Sequence, residues 1–377
     1  MSDLPSSPLN ILHVFRAPVG GLFRHVVDLT RGQIERGHRV GLIADSTTGG
    51  AQAEAVLADL EKDLALGISR IPVGRHLGLR DIGGVLHVSR RIAQTGAQVI
   101  HGHGAKGGAY ARLASAPKGT VRVYTPHGGS LLFRPNALLG ALYLRLENIL
   151  MRRGDLFLFE SDYSSQVFRA KVGNPKGIVR VVHNGIGEAD FGPVESAADA
   201  TDIIFLGEFR PVKGIDVLFD AIALLQRAGR RVTATMVGNG PEADALRARA
   251  ITQGLAELIR FLPAMPARRA FTLGRLMVVP SRSESLPYVV LEAAGAGIPL
   301  VATHVGGIPE IFDSQSSRLV PPEDAEALSA AIASALDDQA ATQDFAEWLQ
   351  QWVRTNFSVE AMVDRVLDSY RQALASA

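Results

Sequence analysis

Short apolar runs alternate with longer amphipathic stretches along the whole chain, the pattern of parallel strands wrapped by helices. In the first half, residues 9–15, 39–44, 68–73, 98–101, 120–125, 155–159 and 179–182 read as strands. Residues 22–36, 51–66, 79–94 and 136–153 carry helical periodicity between them, and Ser161 and Asp162 are natural caps for a further helix. The polar stretch 187–202 reads as a linker between two α/β domains. Beyond it the alternation resumes, with strands at 202–206, 232–237, 259–262, 276–279, 298–302 and 318–320 and helices at about 216–227 and 267–274. Three helices, 324–336, 341–353 and 358–374, close the chain.

Composition narrows the class. The chain has 377 residues, 47% of them hydrophobic, which suits about two domains with a core in each. A formal net charge of +1 argues against a dedicated nucleic-acid binder. The absence of cysteine excludes disulfides and cysteine-ligated zinc and fits a reducing cytoplasm. Residues 1–10 lack a basic segment followed by an apolar core, so no signal peptide is expected. The most apolar long stretch, 286–308, contains Glu292 and two prolines and does not read as a membrane span.

Candidate chemistry concentrates at strand-to-helix turns. Residues 280–310 read as loop, helix and strand, with Pro287 at a first helical position and Gly295 and Gly297 at the helix end. A helix start at the edge of a parallel sheet favours an anion. Glu284 before the helix and Glu292 within it suit polyol hydroxyls, because an ionised carboxylate only accepts hydrogen bonds. Two solvated surface glutamates are the plain alternative. Arg210 and Lys213 sit at another strand-to-helix turn, one a fork and the other a point charge suited to a diphosphate. Gly20 and Gly21 follow the first strand, where backbone can approach a phosphate or simply turn. His101 and His103, two apart at a strand end, could face one way and bind metal, but no third ligand lies near them in sequence. His127 follows the fifth strand, as a ligand contact or a satisfied core histidine. Residues 238–243 fit a loose G-x-G-x-x-A, yet no acid ends the next strand as a dinucleotide site requires. Residues 136–153 place Leu138, Leu139, Leu142, Leu146 and Ile149 on one apolar side, expected to face the core, with Arg145, Arg152 and Arg153 leaving a membrane-surface role open.

Glu284 and Glu292, eight residues apart and followed by Glu-Ala-x-x-x-Gly-x-Pro and Gly-Gly-Ile-Pro-Glu, resemble glycosyltransferase family 4. The resemblance spans residues 9–375 and implies the GT-B architecture. That is an α/β fold of two Rossmann-like doubly wound domains facing across a cleft, 1–186 and 187–357, with a final helix at 358–377 crossing back to the first. It implies retaining, metal-independent transfer of a sugar from a nucleotide diphosphate, UDP or GDP, to an acceptor hydroxyl. The expected setting is polysaccharide or lipopolysaccharide synthesis in the cytoplasm. A glycan or lipid-linked acceptor, no cofactor, no nucleic acid and an optional contact with the inner membrane face complete it. Carried over by position, Lys213 and Arg210 hold the diphosphate, Glu284 the sugar hydroxyls and Glu292 the ribose. His127 lies against the transferred sugar, Gly20 and Gly21 near phosphates and acceptor, and the N–H groups of Leu286 and Tyr288 on phosphate. One departure stands out: relatives read Gly-Arg where this chain has Gly207-Glu208, with the arginine at 210. Arg210 is expected to reach in from a reshaped loop, the other reading being a surface pair with Glu208. A sugar-nucleotide epimerase, a nicotinamide oxidoreductase and a non-catalytic scaffold are the alternatives.

Overall fold

The computed structural model describes residues 7–128 and 137–377. The chain forms two compact units, Met1–Asn184 with Val359–Ala377, and Gly185–Ser358. In the first unit the chain alternates through β1 (Asn10–Phe15), α1 (Gly20–Glu35), β2 (Arg39–Asp45), α2 (Gly50–Glu61), β3 (Ile68–Ile71), α3 (Arg80–Thr95), β4 (Val99–His103), α4 (Gly104–Leu113), β5 (Val121–Thr125), α5 (Leu138–Met151), β6 (Leu156–Phe159), α6 (Asp162–Lys171) and β7 (Ile178–Val181). The seven strands pair in the order β3-β2-β1-β4-β5-β6-β7, all parallel. Helices cover both faces, which is why the strands are apolar nearly throughout. Leu12, Val14 and Ile100 pack on one side against Val88 and Ile92 of α3. Ile11, Val99 and Val123 pack on the other against Leu29 of α1 and Val363, Leu367 and Tyr370 of the last helix.

The second unit runs β8 (Thr201–Leu206), α7 (Ile215–Arg227), β9 (Ala234–Val237), α8 (Ala243–Thr252), β10 (Ile259–Leu262), α9 (Ala267–Phe271), β11 (Gly274–Val279), α10 (Tyr288–Gly295), β12 (Leu300–Ala302), α11 (Ile308–Phe312), α12 (Ala325–Asp337) and α13 (Gln339–Asn356). Its parallel sheet has the order β10-β9-β8-β11-β12. The last helix, α14 (Val359–Ser376), belongs to the first unit.

Several sequence expectations shift. The helix expected over 51–66 ends at Glu61, and Asp63 to Gly67 form turns that lead into β3. The strand expected at 318–320 is a single bridge between Thr303 and Val320, preceded by a 3-10 turn over Asp313–Arg318. Pro287 stands one place outside α10, as its cap, with ψ 122°. The polar stretch after 187 is packed: Arg268 donates to the carbonyls of Asp190 and Gly192, and Ala197 N–H donates to Thr272 O.

The face of α5 is the larger correction. Leu138, Leu139, Leu142 and Ile149, expected in the core, are exposed, and Leu144, Glu147 and Met151 are buried instead. A charge pair sets this orientation. Arg112 is buried on α4, lies 3.9 Å over the Tyr124 ring and meets Glu147 Oε1 at 2.7 Å. A buried guanidinium left without its carboxylate is strongly unfavourable, so Glu147 must turn inward. Asn136 and Gly129 lie outside the described residues.

Candidate functional site

In an open α/β sheet, ligands bind beyond the carboxyl ends of the strands where the strand order reverses. In the second sheet that point lies between β8 and β11. The turn after β8 carries Lys213, the loop after β11 carries Glu284, and the two meet: Lys213 Nζ donates to Glu284 Oε1 at 2.7 Å. Ser281 Oγ donates to the same oxygen at 2.6 Å. Glu284 is 10% exposed and Lys213 23%, so both are sheltered yet reachable.

The two segments are locked together by Arg282, which the sequence reading passed over. Its guanidinium forks onto Asp216, Nη1 to Oδ1 and Nη2 to Oδ2 at 2.8 Å each. Its Nε reaches Glu323 at 2.8 Å, its Nη1 reaches Pro211 O at 2.6 Å, and its backbone N–H reaches Val212 O at 2.8 Å. The Arg282 fork holds the Asp216 carboxyl below its usual range, and Asp216 in turn holds the Arg282 guanidinium above its own. Two glycines, Gly214 on the first segment and Gly306 after β12, let backbone close in on the loop after β11. A side chain at Gly214 (φ +64°) would start 2.0 Å from Pro280 O, and one at Gly306 (φ +60°) 1.8 Å from Glu284 O. Only a residue without a Cβ fits either position.

Arg210 stands apart from this constellation. Its side chain is 42% exposed and its Nη1 meets Glu208 Oε2 at 3.5 Å, the surface pair. Glu292 is half-buried inside α10, and Leu286 and Tyr288 are buried at its start. The first turn of α10 contains no acidic residue of its own. The same holds for α1, which begins at Gly20 and Gly21.

In the first unit the strand order reverses between β1 and β4. The histidine pair on β4 does not stand alone there: His13 from β1, His25 from α1 and His127 after β5 gather round His103. His13 Nε2 meets Gln33 Oε1 at 2.8 Å, His13 Nδ1 meets His103 Nε2 at 2.9 Å, and His103 Nδ1 meets His127 Nε2 at 3.0 Å. His101 bridges Tyr370 Oη of α14 (2.6 Å) and Thr125 Oγ1 (2.8 Å), and His25 Nδ1 meets Asn184 Oδ1 at 3.0 Å. Burial lowers all five pKa values, to about 4 for His13 and His25 and well below 6.5 for His101, His103 and His127. His13, His101 and His103, and likewise His25, His103 and His127, have ring nitrogens close enough together to hold a metal ion. In the first trio, however, His101 has both nitrogens in hydrogen bonds and His13 shares one with His103. The register that places His13 opposite His101 is invisible in the linear sequence, where they stand 88 residues apart.

Residues 19–189 match the family model described as Glycosyltransferase Family 4, and residues 200–338 the model described as Glycosyl transferases group 1. The chain belongs to glycosyltransferase family 4. The D-inositol 3-phosphate glycosyltransferase of Saccharomonospora viridis is 32% identical over 223 residues, 52% of this family 4 chain and 51% of the relative. The chain thus spans about half the length of such curated relatives. In fold, it matches sucrose-phosphate synthase from Thermosynechococcus elongatus with a TM-score of 0.79 at 20% identity, over 98% of this chain and 100% of that one. Anabaena Alr3699/HepE, solved with UDP and glucose, matches with a TM-score of 0.77 at 19% identity, over 96% and 99%. Both likenesses show the two-domain glycosyltransferase fold, and the epimerase alternative gains no support from them. Among the described residues, no helix is long and apolar enough to cross a membrane.

Proposed function

We propose that this family 4 glycosyltransferase moves a sugar from a nucleotide diphosphate to an acceptor hydroxyl with retention of configuration. The observation that carries the reading is the Ser281–Glu284–Lys213 constellation at the reversal point of the second sheet. A carboxylate held from one side by an ammonium and a hydroxyl keeps lone pairs for sugar hydroxyls. Lysine has three donors, so Lys213 can keep Glu284 and still take a phosphate oxygen, stabilising charge as the nucleotide leaves. The start of α10, with the N–H groups of Leu286 and Tyr288, supplies further positive potential for the diphosphate, while Pro287 donates nothing. Glu292 binds the ribose, His127 lies against the sugar, and Gly20 and Gly21 lie near phosphates and acceptor. Arg210 joins the clamp by leaving Glu208, a surface pair worth only about 0–1 kcal/mol. The leaving phosphate serves as base for the acceptor.

Thermal-shift titration with UDP, GDP, ADP and their sugars tests the reading, because a ligand that binds only the folded state raises its stability. The UDP and glucose bound in Anabaena Alr3699/HepE make UDP the first to try. A rise in Tm with one nucleotide, followed by transfer from its sugar, is the expected outcome. No rise with any nucleotide sinks the proposal. Lys213 and the helix start neutralise the diphosphate without a divalent ion, so activity should persist in excess EDTA. Complete loss restored by magnesium or manganese contradicts that.

For the acceptor, a lipid-linked glycan fits best. The outward face of α5 presents Leu138, Leu139, Leu142 and Ile149 beside exposed Arg145, Arg152 and Arg153. Apolar side chains flanked by basic ones suit an anionic membrane surface. Cosedimentation with anionic but not neutral vesicles, lost in Leu138→Ser/Leu142→Ser, is the expected result. Equal recovery in both vesicle types refutes it.

A further inference from the structure

We propose that His13 and His103 are positioning residues that hold His127 in one tautomer, with its proton on Nε2 and its Nδ1 offered as an acceptor to a hydroxyl of the transferred sugar. The inference rests on the glycosyl-transfer reading above for its ligand, and on the geometry of the first unit for the relay itself.

A neutral imidazole has one donor nitrogen and one acceptor nitrogen, so a row of them transmits direction. Gln33 Oε1 can only accept, which puts the His13 proton on Nε2. His13 Nδ1 is then an acceptor, and His103 must donate to it from Nε2. His103 Nδ1 becomes an acceptor in turn, and His127 must donate to it from Nε2. His127 Nδ1 is therefore left without a proton. The row stays neutral because His13 and His103 are wholly buried and burial disfavours their charged forms.

The surroundings fix the rings as well as the protons. His101 packs against His103, tilted by 35° at 3.8 Å between ring centroids, while its own nitrogens are engaged by Tyr370 and Thr125. His25 packs edge-on against His127 at 4.8 Å and is tied to Asn184. From the end of β6, Glu160 Oε1 lies 3.9 Å from His127 Nδ1. At that distance Glu160 takes no hydrogen bond from Nδ1, and a sugar hydroxyl is a donor that Nδ1 can accept. His127 also adopts φ +50°, a region that non-glycine residues rarely enter and that persists where surrounding structure holds it. The relay supplies such a hold.

Side-chain nitrogen NMR of the full chain at pH 7 reads the tautomers directly. His13, His103 and His127 are expected as neutral Nε2–H forms. A proton on His127 Nδ1, as a relay running the other way from a donating Gln33 amide would place it, or an imidazolium at that pH, overturns the proposal. His103→Phe keeps a ring and removes both links. Its kcat should fall by about tenfold or more, the scale for losing a group that orients a ligand-contacting histidine. Its affinity for UDP should be unchanged, and the same NMR should show His127 no longer confined to the Nε2–H form. Unaltered kcat and an unaltered His127 tautomer in that variant overturn the positioning role. If His103→Phe fails to fold, His13→Leu breaks the row one link further back and is read the same way. Should the wild-type chain transfer no sugar from any donor, the transferase reading fails while the NMR still decides the tautomers.

Discussion

Lys213 and Arg210 stand on one turn, yet only Lys213 is held in a network, through Glu284 and Ser281. That contrast makes their substitutions informative. Lys213→Ala removes the ammonium that donates to Glu284, and turnover and nucleotide affinity should each fall by about tenfold or more, roughly 1.4 kcal/mol for one charge-assisted contact. Arg210→Ala should lose a similar factor if the guanidinium swings off Glu208 onto phosphate. Wild-type kinetics in Arg210→Ala, with Lys213→Ala inactive, would leave lysine as the sole clamp. Glu284→Gln keeps the size of the side chain but turns one acceptor into a donor facing Lys213. The expected loss is about a hundredfold in kcat with Tm little changed, since a preorganised charge contributes on that scale. Glu292→Gln should act on nucleotide affinity instead. Transfer at the wild-type rate by both glutamine variants would remove the carboxylates from the mechanism.

Between elements, the turn after β8 and the loop after β11 act as one piece because Arg282 joins them and Gly214 lets their backbones close up. Arg282→Lys keeps the charge but cannot fork, so the Asp216 and Pro211 contacts cannot all survive. The expected result is a Tm several degrees lower and weaker nucleotide binding, measured on the same sample. Gly306→Ala puts a Cβ against Glu284 O at a positive φ, and it should lower kcat with little effect on nucleotide affinity. The sequence made this region legible in part. Apolar runs located β8 and β11, and residue chemistry singled out Lys213 and Glu284. It could not reveal that they touch, because they lie 71 residues apart and meet only through sheet order. Nothing in the sequence marks Arg282, since its fork partner Asp216 lies on another segment. The misread face of α5 has a similar origin. Periodicity gives the apolar stripe, but Arg112 on a different helix decided which stripe faced inward. The histidine row was hidden for the same reason: His13 lies within an apolar strand and marks no motif by itself.

Across the whole molecule, titration is lopsided, because His13, His25, His101, His103 and His127, whose pKa values burial lowers, all lie in the first unit. An unfolded histidine titrates near 6.5, while His13 and His25 do so near 4 in the folded chain and the other three well below 6.5. Between those values the unfolded chain takes up protons that the folded chain refuses, so stability is fully present above pH 6.5 and falls as the pH drops toward 4. A shift of that size corresponds to about 3 kcal/mol at pH 4 for each of His13 and His25. Together they approach the entire stability of an ordinary domain, about 5–15 kcal/mol. The first unit should therefore unfold in acid before the second. Calorimetry from pH 7.5 to 4.5 should show one transition moving steeply down below pH 6.5 and a second, from the other unit, moving less. His13→Leu should make the first transition less steep in pH, even if its Tm at pH 7.5 is lower. A single transition with the same Tm across the range would mean that the five rings charge in place without cost, and would remove the neutral row on which the orientation of His127 depends.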